Sequence, residues 1–338
     1  MNTNRLRKVK EIENFSGDRT LKILGKIKPV RKGFYRILDI PVSGDAPKDF
    51  IQLYSFGEGR KDQISTWPKY IAKVGKKWYP NESLVEYLLN RIGENLGLNM
   101  AKSELRIVDD QLRFLSKYFL KKGEILVHGA QIFSGFLEDN DDSFVHEIEQ
   151  SGLSRELFTF QFAIKSIGHS FPKESESICI EFVKLLIFDA ITGNNDRHFY
   201  NWGIVTDIEG KEKPAFSPIF DTARGLFWNY SEDKIKKLFK GVNRIDEVQF
   251  QKYIDNSRPK TGWDGLSTVN HFELVRLIYE SYPKYSLICQ KILHDDNLKV
   301  CIRMIEQEFK YFLSKERYIL VVECLSQRFK RLQGVCGC

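Results

Sequence analysis

The chain has 338 residues, of which 42% are hydrophobic and 29% charged, and its formal net charge is +7. This composition is typical of a folded globular protein with one large or two smaller domains, and no repeat or low-complexity tract is present. No apolar run reaches the roughly 20 residues of a membrane-spanning helix, so a membrane span is excluded. The six cysteines lack zinc-type spacing, and we expect buried thiols in a reducing compartment.

The first 120 residues contain short strand-like segments and one strong helical pattern. Residues 70–75 form a strand-like run around Lys73, although lysine is uncommon in strands and an edge-strand charge is an alternative. Asn81 is the predicted N-cap of a helix that ends at Gly97, with Glu86 beside its apolar stripe. Residues 113–120 predict a further strand. The basic residues of segment 1–36 predict a solvated surface rather than a nucleic-acid site; they include Arg5, Arg7, Lys8, Lys10, Arg31 and Lys32.

The rest of the chain is mainly helical in pattern. Residues 178–192 predict a buried helix whose polar residues share one face, and Gly193 predicts its left-handed cap. Residues 202–205 and 215–220 predict a hairpin centred near residue 211. Other helices are predicted at 143–168, 232–239, 266–282, 286–293, 298–314 (with Asn297 as N-cap) and 315–332.

The loop between the buried helix and the hairpin carries the clearest chemical signal. Asp196 and Asn201 are five residues apart, and Asp221 follows the hairpin. Kinases use one carboxylate to orient the acceptor hydroxyl, with an amide oxygen and a second carboxylate on magnesium. Opposed residues of a hairpin centred on 211 have numbers that sum to about 422, which Asn201 and Asp221 satisfy. The pattern therefore predicts a phosphotransferase that uses ATP and Mg²⁺.

Residues 193–203 and 218–221 resemble the signature of the HipA-like serine/threonine kinases, bacterial proteins of which many are toxins of toxin–antitoxin systems. The resemblance is strongest over residues 178–225 and weaker over 68–120. It implies an α+β, bilobal protein-kinase-like fold with a β-rich N-lobe (1–120) and a larger, mainly helical C-lobe (121–338). It also implies that Asp196 is the catalytic base and that Asn201 and Asp221 bind magnesium. His198 matches the loop histidine of the family, and we expect a structural hydrogen bond from it.

Lys73 is expected to contact the ATP phosphates. An acidic side chain must hold this lysine in place. Glu86 is the expected partner of this lysine, with Glu82 as the competitor. Gly57 and Gly59 are candidate amide donors to the phosphates. A plain hairpin loop explains these two glycines equally well.

The adenine ring is expected at the backbone of Lys117 and Tyr118, where the chain would cross between the lobes. The resemblance also implies a serine whose phosphorylation disorders the phosphate loop. Ser55 and Ser65 are the two autophosphorylation candidates. Added negative charge beside the ATP phosphates would hinder ATP binding by like-charge repulsion.

The resemblance further implies a protein substrate, such as an aminoacyl-tRNA synthetase, and an antitoxin partner. A bacterial cytoplasmic location follows from it, with translocation into a host cell left open. Two other functions remain alternatives. The Asp-Arg-His-x-x-Asn motif also resembles phosphoinositide kinases, so a lipid or small-molecule kinase is one. A catalytically inactive kinase fold that serves as a binding module is the other.

Overall fold

A computed structural model describes residues 27, 29–40, 47–75, 78–139 and 143–337 of the chain. A six-stranded sheet is followed by a helical region that contains a three-stranded sheet. The strands are β1 (Pro29–Val30), β2 (Tyr35–Leu38), β3 (Lys48–Leu53), β4 (Lys69–Lys73), β5 (Ser103–Val108), β6 (Gln111–Lys117), β7 (Glu124–His128), β8 (Gly203–Asp207) and β9 (Ala215–Phe216). The helices are α1 (Asn81–Asn95), α2 (Gly129–Phe136), α3 (Ser143–Gln150), α4 (Ser154–Leu157), α5 (Phe160–Ser170), α6 (Ser175–Thr192), α7 (Glu232–Lys236), α8 (Glu247–Asp255), α9 (His271–Ser281), α10 (Ser286–Ile292), α11 (Asp295–Met304) and α12 (Lys315–Cys336).

The six-stranded sheet has the order β1-β5-β6-β4-β3-β2 and is antiparallel except between β1 and β5. Its two edge strands are joined by only four residues, 31–34, which span at most about 14 Å, so the sheet must curl. Strand β4 lies between β3 and β6, and the alternative that Lys73 is an edge-strand charge is therefore wrong. Lys73 ends β4 directly opposite Lys48 of β3, and both side chains are buried.

Helix α1 links this sheet to the helical region. It begins at Asn81 with Pro80 as its N-cap, one residue before the predicted cap, and Gly97 follows it with a φ of 71°. Its apolar stripe is buried in the same core cluster as α6 and α11. The guanidinium of Arg91 donates two hydrogen bonds, of 2.9 and 2.8 Å, to the Glu308 carboxylate in the π-helical turn after α11. The helix that carries Glu86 is thus held by C-terminal elements.

The hairpin of β8 and β9 differs from the prediction in register and length. Ile204 pairs with Phe216 and Val205 with Ala215, so opposed numbers sum to 420. Gly210, with a φ of 68°, lies at the centre of the turn. Strand β9 ends before Pro218, which has no amide hydrogen to donate to a ladder. Ile219 then pairs with Met100 next to the first sheet, which carries the chain towards Lys73.

Elements after the hairpin follow the predicted helical pattern, with shifted ends. Helix α9 begins after its N-cap Asn270, and α11 begins after His294, so Asn297 lies inside α11. The cysteines at positions 179, 289, 301, 324 and 336 are buried and form no disulfide bond, which confirms the predicted buried thiols among the described residues. Within the same part of the chain, no helix combines the length and apolarity that a bilayer crossing requires.

The structure describes only part of the predicted basic N-terminal segment. Arg5, Arg7, Lys8 and Lys10 lie outside the described residues. Arg31 and Lys32 are exposed between β1 and β2, as expected of a solvated surface. The lobe boundary near residue 120 stays a prediction; the chain passes from the first sheet to β7 between residues 117 and 124.

Candidate active site

The loop that contains Asp196 is built on a buried ion pair. Asp189, in the last turn of α6, accepts hydrogen bonds of 2.9 and 3.0 Å from Nε and Nη2 of Arg197. The two side chains are only 2% and 3% exposed. The Asn194 amide also donates to Asp189, at 2.8 Å. A buried bidentate pair of this kind fixes direction as well as distance, so the loop leaves the helix in one conformation.

Arg197 also brings the two predicted metal ligands together. Its Nη1 donates to the backbone carbonyl oxygens of Asn201, at 2.9 Å, and Phe220, at 2.7 Å. It lies 3.5 Å from the carbonyl oxygen of Asp221. One buried guanidinium therefore joins the loop that contains Asp196 to the segment after β9. The predicted convergence of Asn201 and Asp221 arises from this contact, whereas direct opposition in the hairpin was the wrong reason.

The oxygen atoms of Asn201 and Asp221 fit a magnesium ion. The Asn201 side-chain nitrogen donates to the Asp196 carbonyl at 3.0 Å, which leaves its Oδ1 as the atom that could coordinate a metal. Asp221 has a left-handed φ of 53°, a conformation that is uncommon outside glycine and often occurs at functional positions. Magnesium prefers one or two protein oxygen ligands together with substrate phosphates. The described residues contain no cluster of three or more His, Cys, Asp or Glu arranged for a metal.

Lys73 lies between two carboxylates. Its Nζ is 2.7 Å from Glu86 and 3.0 Å from Asp221. Burial alone would lower the pKa of Lys73, but Asp221 and Glu86 outweigh it and raise that pKa. Burial raises the pKa of Glu86 to about 7 although Lys73 opposes this. The competing acid, Glu82, accepts a hydrogen bond from the Trp78 amide and is not the partner of Lys73.

The pKa of Asp221 is set by competing effects. Burial would raise it, but Lys73 outweighs burial and lowers the pKa of Asp221 to about 2. Lys48 contributes in the same direction. The Asp221 carboxylate therefore stays ionised at neutral pH, as a metal ligand must.

The Asp196 side chain is partly exposed, at 23%. Its Oδ2 is 2.9 Å from Nε of Arg224. Burial raises the pKa of Asp196, while Arg224, His198 and Lys260 oppose that rise. Nδ1 of His198 accepts a hydrogen bond of 3.3 Å from the Tyr200 amide, a local structural contact.

Comparison with known proteins identifies the family. A sequence model described as the HipA-like C-terminal domain matches residues 40–258, well over half of the chain. The chain belongs to the HipA-like C-terminal domain family. The serine/threonine-protein kinase CtkA of Helicobacter pylori strain J99 is 22% identical over 255 residues, 74% of each chain. The predicted family is therefore confirmed.

Solved structures of HipA-like proteins confirm the fold. The crystal structure of CtkA, a proinflammatory kinase of Helicobacter pylori, aligns with a TM-score of 0.70 and 16% identity, over 91% of this chain and 96% of that chain. Shewanella oneidensis HipA, solved with HipB and operator DNA, aligns with a TM-score of 0.50 and 12% identity, over 88% of this chain and 66% of that chain. The α+β, kinase-like fold predicted from the sequence is the observed one.

The predicted glycine loop does not meet Lys73. Gln52 pairs with Lys69 and Lys48 with Lys73, so residues 54–68 connect β3 and β4 at the end away from Lys73, about 13 Å along the strand. In protein kinases the lysine lies one strand beyond the glycine-loop hairpin. By that order, the counterpart of the kinase glycine loop is the connection between β2 and β3, residues 39–47. Residues 41–46 of this connection lie outside the described residues. The assignment of Gly57 and Gly59 to ATP is therefore wrong.

The other predicted residues of this region lie near that displaced loop. Ser55 is half-buried and pairs with Glu58, whereas Ser65 is exposed in a short 3-10 helix, Ile64–Thr66. Glu58 forms a 2.8 Å ion pair with Lys117. The amides of Lys117 and Tyr118 already donate to the carbonyls of residues 102 and 69. Adenine recognition by these two amides is therefore not supported.

The contacts by which the C-terminal part of the chain supports the loop were not predicted from the sequence. Arg328 of α12 is buried and donates from Nε to the Ala190 carbonyl at 2.8 Å. The Ser257 hydroxyl donates to the Gly193 carbonyl at 2.9 Å. Both contacts hold the end of α6 immediately before the catalytic loop. No short sequence motif predicts these two contacts, because the partners are backbone atoms far away in the sequence.

Proposed function

We propose that this HipA-like chain is a serine/threonine protein kinase that transfers the γ-phosphoryl group of Mg-ATP to a protein hydroxyl. The observation that carries the proposal is the position of Lys73, 2.7 Å from Glu86 on α1 and 3.0 Å from Asp221 after β9. A lysine paired with a helix glutamate next to a magnesium-binding aspartate is the arrangement that protein kinases use for ATP phosphates. Kinship with CtkA agrees with a kinase-like enzyme.

Each residue has a role that its surroundings suit. Lys73 pairs with the nucleotide phosphates while Glu86 holds it in position. Asn201 Oδ1 and the Asp221 carboxylate bind Mg²⁺, which when present neutralises phosphate charge and orients the triphosphate. Asp196 orients the acceptor hydroxyl and takes its proton. The protein contributes mainly positioning and charge stabilisation to this transfer.

The substrate and partners are proposed by kinship. A protein substrate, such as an aminoacyl-tRNA synthetase, fits a HipA-like kinase, and we propose a bacterial cytoplasmic location. An antitoxin partner is proposed because the HipA relative was solved in a complex with HipB. Autophosphorylation is proposed at Ser55 or Ser65, of which Ser65 is the more accessible. Direct nucleic-acid binding is not part of the proposal.

Thiophosphate labelling of a bacterial lysate tests the proposed function. With wild-type protein, Mg²⁺ and a thio-analogue of ATP, we expect labelled protein bands. With Asp221→Asn we expect incorporation to fall by about 100-fold or more, since a metal-binding carboxylate is lost from the phosphate site. Labelling of phosphoinositide vesicles without any protein band would instead support a lipid kinase. Absence of transfer to either acceptor by wild-type protein would contradict the proposal and favour a binding module.

A further inference from the structure

Arg224 lies at the proposed active site, and the mechanism proposed above does not use this cation. It lies three residues after Asp221, and its Nε is 2.9 Å from Oδ2 of Asp196. Its position is fixed on two sides. The Asn195 amide donates to the Arg224 carbonyl oxygen at 3.3 Å, and the guanidinium carbon lies 5.3 Å from the centre of the Trp228 ring. Stacking on an aromatic face keeps a guanidinium oriented while one edge stays accessible.

Two other cations of the site, Arg197 and Lys73, are committed to buried ion pairs. Arg197, its neighbour in sequence, points inwards to Asp189 and is 3% exposed. Lys73 is buried between Glu86 and Asp221. By contrast, the Arg224 side chain is 33% exposed. Arg224 is therefore the guanidinium that a substrate can reach while it contacts the proposed base.

A cation at this position has a chemical use in phosphoryl transfer. During the reaction, the acceptor oxygen forms a bond to the γ-phosphorus, and the bond from that phosphorus to the bridging oxygen breaks with its electron pair leaving on ADP. The hydroxyl proton passes to Asp196. Negative charge on the γ-phosphoryl oxygens thus passes close to Asp196, next to Arg224. A guanidinium has five N–H donors in a planar fork, so it can contact a carboxylate and phosphoryl oxygens together.

We propose that Arg224 is a catalytic residue that contacts the transferring phosphoryl group and holds the Asp196 carboxylate towards the acceptor hydroxyl. This inference rests on the proposed kinase function and adds a residue to it. The positive charge next to Asp196 would then come from Arg224, in the segment after Asp221. Arg197, in the loop itself, is buried in the ion pair with Asp189. Loss of Arg224 should weaken binding in the transition state more than binding of ATP itself.

The test compares Arg224→Met and Arg224→Gln with Arg276→Met, which removes an exposed arginine paired with Glu280 on α9. For both Arg224 variants we expect kcat to fall about 100- to 1000-fold, with KM for ATP changed less than about threefold. Binding is measured by calorimetry without turnover. Affinity for Mg-ADP should be unchanged, whereas affinity for Mg-ADP with aluminium fluoride, a mimic of the transferring phosphoryl group, should fall by a similar factor. The control should match wild type in every measurement.

The outcomes distinguish a failure of the Arg224 role from a failure of the proposed function. Wild-type kcat in both Arg224 variants, or an increased kcat, would overturn the inference, since an increase would mean that Arg224 blocks the acceptor site. If Arg224→Met is unstable, Arg224→Gln gives the answer, because its amide keeps bulk next to Trp228 while removing the charge. Failure of the wild-type protein to transfer phosphate or to bind Mg-ADP would contradict the proposed function itself. Normal wild-type activity with unaffected variants would contradict only the role of Arg224.

Discussion

Replacement of Asp196 by asparagine is expected to lower phosphoryl transfer about 100- to 10,000-fold while leaving the fold and Mg-ATP binding intact. Asparagine has the same shape but cannot accept the hydroxyl proton. The contact that orients Asn201 uses the backbone carbonyl of Asp196, which the substitution retains. The side chain is also partly exposed, so its loss should not open the core.

Steady-state kinetics and calorimetry together check this expectation. Asp255→Asn is the matched control, because Asp255 is an exposed carboxylate paired with Arg331. It should retain wild-type turnover, and both variants should bind Mg-ATP with wild-type affinity. An Asp196→Asn variant that retains more than half of the wild-type kcat would refute its assignment as the base.

Replacement of Arg197 by methionine is expected to have the largest effect on stability. It would leave the buried Asp189 carboxylate without its cation and remove the donor to the carbonyls of Asn201 and Phe220. Breaking a buried pair by removing one partner typically costs about 3–5 kcal/mol. The free energy of unfolding, measured by chemical denaturation, should fall by that amount. Activity should be lost as well, since the same guanidinium joins the two proposed metal ligands.

A double-mutant cycle shows whether the cost comes from the pair. Asp189→Asn with Arg197→Met should be less destabilising than the sum of the two single changes, because no uncompensated buried charge remains. Arg276→Met, which breaks an exposed ion pair, should cost only about 0–1 kcal/mol. An Arg197→Met variant as stable as this control would show that the buried pair does not hold the catalytic loop.

The sequence predicted well those features that are set by local pattern. Helix α6, its Gly193 cap and the strand that contains Lys73 follow from apolar periodicity and one glycine. The role of Asp189 was missed because it was placed on one face with Glu181 and Lys184. At 100° per residue, it lies about 80° and 140° from them. The structure accordingly buries Asp189 while Glu181 and Lys184 pair near the surface.

Predictions that depend on long-range register were less successful. The glycine loop was placed by its Gly-x-Gly pattern and its position before the Lys73 strand, and Gly57 and Gly59 lie in the connection between β3 and β4 with φ values of 85° and 90°. Only the pairing of β2, β3 and β4 reveals which end of the sheet faces Asp221. The contact between Arg224 and Asp196 likewise joins two segments on either side of the hairpin. No spacing of residues along the sequence predicts it.

Calorimetric titration with ATP, with and without Mg²⁺, tests most directly whether these side chains form one nucleotide and metal site. We predict that wild-type protein binds ATP at least about tenfold more tightly with Mg²⁺ than with a chelator, a difference of about 1.4 kcal/mol. Asp221→Asn should lose this magnesium dependence, whereas Asp196→Asn should keep it. Identical ATP binding by wild type and Asp221→Asn, or no magnesium dependence in either, would contradict the convergence of Lys73, Asn201 and Asp221 on a magnesium–nucleotide complex.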